Sequence, residues 1–568
     1  MPGLVVLRSY RRSWLRGDLL AGLTVAAYLV PQVMAYAGLA GLPPVTGLWA
    51  ILAPLALYAV FGSSRQLSIG PESTTSLMTA AAVAPLAAGD PGRYAGLAAA
   101  LAVVVGVLCL VAFAARLGFV ADLLSRPILV GYMAGVAVTM IAGQLGKLTG
   151  VRVEGDGIPA ELASFARHIA GADPATVLLG LAALALLFLG RWRFPQLPVP
   201  LFVVLLATLA VVVFDLQRYG VAVVGDVPSG LPTPALPDVG DLSGLLLPAV
   251  GVLVVGYTDT VLTARAFAVG TGDPVDANQE LLALGTANIG AGLLRGFPVS
   301  SSGSRTALAV AGGARTQMYS FVALAFVAAV LLFAGPMLAL FPSAALGALV
   351  VYAAVRLVDV AGFRKLAAFR RTEVLLALAA LAGVVVLDIL TGVLLAVGLS
   401  VAEMLHRVAR PHDAVQGFVP DLAGMHDIDD YPSATTVPGL LVYRYDSPLF
   451  FANAENFRRR ALDAVATQAE PVRWFVLNVE ANVEVDSTGL EALEALREEL
   501  TARGIEFALA RVKQDLLDAL TAYGITEAVG RDRVFPTLPT AVAAYQTWVT
   551  ASSKERRGDS GSGSSEST

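Results

Sequence analysis

The sequence is 568 residues long, 56% hydrophobic and only 15% charged, which excludes a soluble protein over roughly its first 410 residues and requires a polytopic membrane chain. Its net charge of −5 hides an asymmetry, because the acidic residues concentrate in the C-terminal third and the part before it is nearly free of charge. The one cysteine, Cys109, lies inside an apolar run, which excludes a disulfide framework and a thiol metal cluster.

The N-terminal stretch Leu7 to Arg16 carries Arg8, Arg11, Arg12 and Arg16, and no small-residue cleavage site closes the apolar run that follows, so the first segment is expected to stay as a membrane helix. Runs long enough to cross or enter a hydrocarbon core of about 30 Å follow in order. They lie near 19–38, 45–61, 73–88, 94–115, 127–146, 175–190, 198–214, 244–268, 280–294, 302–311, 318–336, 341–357, 373–387 and 390–408. The third and the tenth are short and begin after polar, Pro- and Gly-containing stretches, Ser68 to Ser73 and Gly296 to Ser300. Each is third in a group of seven. The expected fold class is therefore an all-α polytopic membrane domain of fourteen segments, a 7+7 inverted repeat with two half-helices.

The basic residues fall mainly on one side of these segments: Arg65, Arg116 with Arg126, Arg191 with Arg193, Arg315, the cluster Arg364 to Arg371, and Arg407 with Arg410. The positive-inside rule puts that side, and both termini, in the cytoplasm of a bacterial-type inner membrane. After Pro411 strands alternate with helices: 439–445 strand, 454–466 helix, 474–479 strand, 487–503 helix, 506–510 strand and 514–523 helix. That is a small cytoplasmic α/β domain. The expected boundaries are 1–410 for the transport domain, 411–437 for a linker, 438–550 for the α/β domain and 551–568 for a disordered Ser/Gly-rich tail.

The two interrupted helix starts carry the chemistry. A helix beginning inside the bilayer aims free N–H groups, worth about half an elementary charge, at an anion. Arg305, in the first turn of the tenth segment, adds a full charge, and an unpaired one in mid-membrane costs roughly 2.5–3.5 kcal/mol on insertion scales. Ser301, Ser302, Ser304 and Thr306 offer hydroxyls there, and Ser73, Thr74 and Thr75 do so from the third segment. The alternatives are that the serines only let helices pack closely, and that Arg305 forms a structural ion pair with Glu72 or Asp259. No paired acid, base and nucleophile suggests an enzyme, His406, His412 and His426 lack metal-ligand spacing, and no basic aromatic face suggests nucleic-acid binding.

The run GDLLAGLTVA from Gly17 to Ala26, with VPQVMAYA from Val30 to Ala37 and AGLPP from Ala40 to Pro44, closely resembles the first-helix signature of the SulP anion transporters, also called solute carrier family 26. Gly62 to Arg65, Gly70 with Pro71, Asn278 to Leu281 with Gly285 and Asn288, and the pair Ser304 and Arg305 resemble further family motifs in the family order. The resemblance runs from about Arg11 to Tyr545. It implies core and gate bundles, a C-terminal STAS domain and a homodimer. It also implies a substrate site formed by Gln32, Tyr36, Glu72, Ser73, Ser304 and Arg305, to which the helix-start hydroxyl of Ser302 is added.

Asp259 is the only acid of the eighth segment. Cation-coupled members carry an acid at similar positions, which implies symport with H⁺ or Na⁺, with Thr263 one turn on as a further ligand for Na⁺. Glu72 departs from the small or apolar residue of many members and is assigned the coupled proton. Ser487 lies where stand-alone STAS proteins are phosphorylated, so it is either a helix cap or a point of regulation by a protein or nucleotide. The expected function is secondary active transport of a small oxyanion, sulfate first, by alternating access. Bicarbonate and C4-dicarboxylate remain open as substrates, as does an uncoupled anion channel. No cofactor beyond the coupling ion and no resident metal is expected.

Overall fold

The computed structural model describes residues 2–122, 125–153, 155, 158–194, 198–237, 242–268, 275–387 and 389–559, in two compact units, Met1–Val401 and Ala402–Thr568. The first unit is helical. Its membrane helices are α1 (Leu15–Leu39), α2 (Pro44–Phe61), α3 (Ser73–Ala87), α4 (Pro91–Ala114), α5 (Arg126–Ala142), α6 (Pro174–Arg193) and α7 (Val199–Val213). They continue as α8 (Leu242–Ala268), α9 (Ala277–Leu293), α10 (Gly303–Ala311), α11 (Met318–Phe333), α12 (Ser343–Leu357), α13 (Arg371–Val386) and α14 (Ile389–Ala409). All fourteen expected segments are present. Proline sits in the first turn of α2, α4, α5 and α6, where its missing N–H breaks no helical bond. Asp90 and Asp173 cap α4 and α6 by accepting from Gly92 N and Thr176 N, each at 2.8 Å.

Among the described residues, seven helices are long and apolar enough to cross a membrane unaided. α10 is not one of them: its nine residues span only about 14 Å at 1.5 Å per residue. Two-residue strands, β1 (Ile69–Gly70) and β2 (Ser300–Ser301), stand in front of α3 and α10. They pair antiparallel, Ile69 opposite Ser301 and Gly70 opposite Ser300, the relation that a two-fold axis between the halves requires. Between α5 and α6 lies an amphipathic helix, Ile158–His168, and between α12 and α13 another, Val360–Phe369.

The second unit holds a six-stranded sheet in the order β4-β3-β5-β6-β7-β8. Its strands are β3 (Asp413–Phe418), β4 (Met425–Asp427), β5 (Leu440–Tyr445), β6 (Trp474–Asn478), β7 (Glu506–Ala510) and β8 (Val534–Phe535). β5 to β8 run parallel, and β3 pairs antiparallel with both β4 and β5. Residues 411–437 are thus not a linker, since β3 and β4 extend the sheet. They escape a reading by hydrophobic runs because β3 (DAVQGF) is short, with its apolar residues broken up by Asp413, Gln416 and Gly417, and β4 has three residues.

Leu441, Tyr443 and Tyr445 of β5 pack with α15 (Ala454–Ala466), α16 (Ser487–Ala502) and α17 (Gln514–Ala522). Leu440 and Val442 pack on the opposite face with α18 (Leu538–Asp559). A strand covered on both faces is nearly all apolar, and Arg444 is the one charged residue of β5. α18 runs on to Asp559, so the boundary expected at 551 falls inside a helix, and 560–568 lie outside the described residues.

Candidate functional site

The two interrupted helices are joined at their starts. Beyond the β1–β2 pairing, Ser302 N donates to Ser68 O at 2.9 Å, and Ser68 N donates to Thr306 Oγ1 at 3.0 Å. The extended chain ahead of each helix is held by side chains from elsewhere. Asn288 of α9, wholly buried, accepts from Val299 N at 2.9 Å and donates to Val299 O at 3.0 Å. Gln317 Nε2 donates to Ser64 O and Leu67 O, while the Tyr319 hydroxyl donates to Gln66 O. These amides occupy backbone groups that a short strand leaves orphaned in an apolar environment.

Asn288→Ala leaves both polar groups of Val299 unpaired. It is expected to cost about 2–4 kcal/mol and to lower the thermal midpoint of the purified protein. An unchanged midpoint would show that β2 does not depend on this side chain.

Glu72 caps α3, with Oε2 accepting from Thr74 N at 2.7 Å and Oε1 from Ser73 Oγ at 2.5 Å. Ser302 caps α10 through Arg305 N at 3.5 Å, and its hydroxyl lies 3.2 Å from that of Ser304. Arg305 is wholly buried. Its Nη1 donates to Pro71 O at 2.9 Å and to Gln32 Oε1 at 3.2 Å, and its Nε donates to Ser68 Oγ at 3.2 Å. Nη2 has no hydrogen-bond partner. It lies 3.3 Å from where a Cβ on Gly70 would stand, and that Cβ would also lie 1.8 Å from Ile51 Cδ1, so only glycine lets β1 pass this close. Neither Glu72 nor Asp259 pairs with Arg305, so the ion-pair alternative is not realised.

A cavity of about 230 Å³ opens beside the helix starts. Its wall carries Tyr36 of α1, Glu72 and Ser73 of α3, Asp259 and Thr263 of α8, and Ser301, Ser302 and Ser304 before and on α10. Asp259 Oδ2 accepts from Ser301 Oγ at 2.7 Å, which ties α8 to β2. Two of the expected residues stand behind this wall rather than on it. Gln32, 5% exposed, donates to the Tyr36 hydroxyl at 3.0 Å and to Ser304 Oγ at 3.5 Å while receiving Arg305, and so brackets α1 to α10. Arg305 lies deeper still.

Three polar wall residues were missed from the sequence, Tyr28 of α1 and Tyr352 and Arg356 of α12, and Gly303, Ala353 and Leu357 complete the lining. Tyr28 had a readable signal, since Tyr28, Gln32 and Tyr36 recur at four-residue spacing and share one helix face. Arg356, whose Nη1 donates to the Tyr352 hydroxyl at 3.4 Å, is a lone cation near the end of an apolar run. Nothing in the spacing says which side of α12 faces the cavity.

In the second unit Asp486, not Ser487, caps α16, accepting from Gly489 N at 2.8 Å. Ser487 is exposed in the first turn, so its hydroxyl is not needed for the cap.

Residues 15–380 match the sequence profile described as the sulfate permease family, and residues 431–541 that of the STAS domain. A Mycobacterium tuberculosis protein named "Probable sulfate transporter" is 60% identical over 548 residues, 96% of this chain and 98% of that one. An Arabidopsis thaliana protein named "Probable sulfate transporter 4.2" is 33% identical over 564 residues, 95% of this chain and 83% of that one. The solved structure of murine Slc26a9, an anion transporter in the inward-facing state, superposes with a TM-score of 0.89 over 96% of this chain and 94% of that one. At 23% identity that likeness establishes the fold.

Proposed function

The chain belongs to the sulfate permease family, a family of membrane transporters rather than enzymes, and from that premise we propose that it is a secondary active transporter of a small oxyanion. Sulfate is the first substrate, moved by alternating access and coupled to H⁺ or Na⁺. The observation that carries this reading is one cavity that holds hydroxyl donors from both helix starts together with the carboxylates of Glu72 and Asp259. The serine hydroxyls and the first N–H groups of α3 and α10 replace the hydration of the anion. Arg305 supplies positive potential from behind the wall, where low dielectric strengthens it. A cation at Asp259 offsets part of the anion's charge, so the two are favoured together.

The two acids differ in what they already hold. Both oxygens of Glu72 already accept hydrogen bonds that cap α3, so a cation there would weaken the cap, whereas Asp259 holds one serine and faces the cavity beside Thr263. Coupling is therefore placed at Asp259, and Glu72 serves as the cap of α3. Glu72→Gln, which keeps an acceptor for Thr74 N, is expected to retain the dependence of uptake on the cation gradient. Loss of that dependence would move the coupling site to Glu72.

The names of the relatives favour sulfate, and residues with this reach also suit bicarbonate or a C4-dicarboxylate. Purified protein in liposomes, given labelled sulfate, bicarbonate and fumarate under imposed pH or Na⁺ gradients, tests the assignment. Sulfate accumulation that follows one cation gradient supports it; currents that ignore both gradients would make the chain a channel. An inner-membrane location with cytoplasmic termini, a homodimer, and regulation by a protein or nucleotide at the exposed Ser487 belong to the same reading.

A further inference from the structure

On the side of the cavity away from Arg356, α1 and α12 meet at a half-buried cation. Tyr28 shares a recess with Tyr352 and Arg356, so the middle of α1 lies beside the C-terminal end of α12. Gly38 is ten residues beyond Tyr28, about 15 Å along the α1 axis, and Gly347 is nine residues before Arg356, about 14 Å along α12. Both glycines therefore mark the side of the cavity away from Arg356. They meet there at a single residue, Lys147, from the short helix Leu145–Thr149 that follows α5.

Lys147 Nζ donates to Gly38 O, in the last turn of α1, at 3.5 Å. A Cβ on Gly347 would stand 3.2 Å from Lys147 Cβ and 3.5 Å from Gln144 Oε1, so glycine at 347 gives the lysine stem its bed on α12. Gln144 is 2% exposed and its Oε1 has no hydrogen-bond partner. This seam is thus polar and incompletely satisfied, with Gln144 buried and Lys147 half-buried, unlike the apolar packing around it.

The choice of partner sets how firmly the seam is held. A carboxylate would neutralise the ammonium and lock it, and among the described residues no acid pairs with Lys147. The carbonyl end of a helix attracts a cation with only partial charge, and one long hydrogen bond adds little. The contact orders the closed form while leaving a full positive charge in reserve. We infer that Lys147 closes the cavity on the side away from Arg356 by holding the Gly38 carbonyl. When this contact opens, the freed ammonium offers a positive charge to an anion arriving from that side; this second step rests on the alternating-access reading.

Vesicles containing the full chain, with sidedness assigned by protease removal of the C-terminal domain, test this with wild type, Lys147→Met and Lys147→Arg. In sulfate exchange, Lys147→Met is expected to raise KM about tenfold on the Lys147 side and by less than about twofold on the other, with Lys147→Arg restoring the wild-type value. In a Cys109→Ala background, Gly38→Cys is expected to react several-fold faster with a membrane-impermeant thiol reagent once Lys147→Met is added. An equal change in KM on both sides, or none, overturns the anion role, and unchanged labelling overturns the closure. Labelling needs no transport, so a wild type that carries no sulfate would sink the transport reading and leave the closure to be judged by itself.

Discussion

Arg305→Ala is expected to reduce sulfate uptake at subsaturating concentration by ~100-fold, on the scale of losing the hydrogen bonds of a buried charged group. Two losses combine. The substitution removes the positive potential behind the cavity wall, and it removes the donors that bind Pro71 O, Gln32 Oε1 and Ser68 Oγ, which hold α1 and the start of α3 against α10. Arg305→Lys separates them, because an ammonium keeps the charge but cannot reproduce the guanidinium fork. Partial recovery in the lysine variant assigns the remaining deficit to lost positioning. Gln32→Ala is expected to weaken uptake less, since the charge stays in place. A monodisperse, folded Arg305→Ala protein with wild-type affinity would remove Arg305 from the site altogether.

Asp259→Asn is expected to abolish accumulation against a gradient, lowering cation-driven uptake ~10- to 100-fold, the range of coupling free energies between linked sites. Sulfate-for-sulfate exchange should survive, because the amide oxygen of asparagine still accepts from Ser301 Oγ and the tie between α8 and β2 persists. The split between lost accumulation and retained exchange is the diagnostic. Thr263→Val adds a second reading: a higher Na⁺ requirement identifies Na⁺ as the coupling ion, and no effect beside a lost pH dependence in Asp259→Asn identifies H⁺. Accumulation that persists in Asp259→Asn would place coupling elsewhere.

The expected helices and their order matched the structure closely, while the wall of the site matched only in part. Tyr36, Glu72, Ser73, Asp259, Thr263, Ser302 and Ser304 do line one cavity, and Gln32 and Arg305 do not. The reason is geometric. Helical spacing says which residues share a face, as with Tyr28, Gln32 and Tyr36, but it does not say which neighbour covers part of that face. Ser304 and Arg305 cover Gln32, from more than 270 positions away along the chain. Asp486 and Ser487 present the same limit at a smaller scale: both are good caps by type, and the backbone conformation at 486 gives the role to the aspartate.

Composition and hydropathy alone determined that this chain is a fourteen-helix membrane protein with an α/β tail, because in lipid every backbone group must be satisfied within its own segment, and that requirement is written locally as long apolar runs. The two polar interruptions were legible for the same reason, as places where the local rule is broken. Only the tertiary structure decided that Arg305 lies behind the wall, that Arg356 stands on it, that 413–418 and 425–427 join the sheet, and that Lys147 meets Gly38. Each of these depends on contacts between segments far apart in sequence. Such contacts form where helices cross and strands pair, and neither is encoded in the periodicity of any one segment.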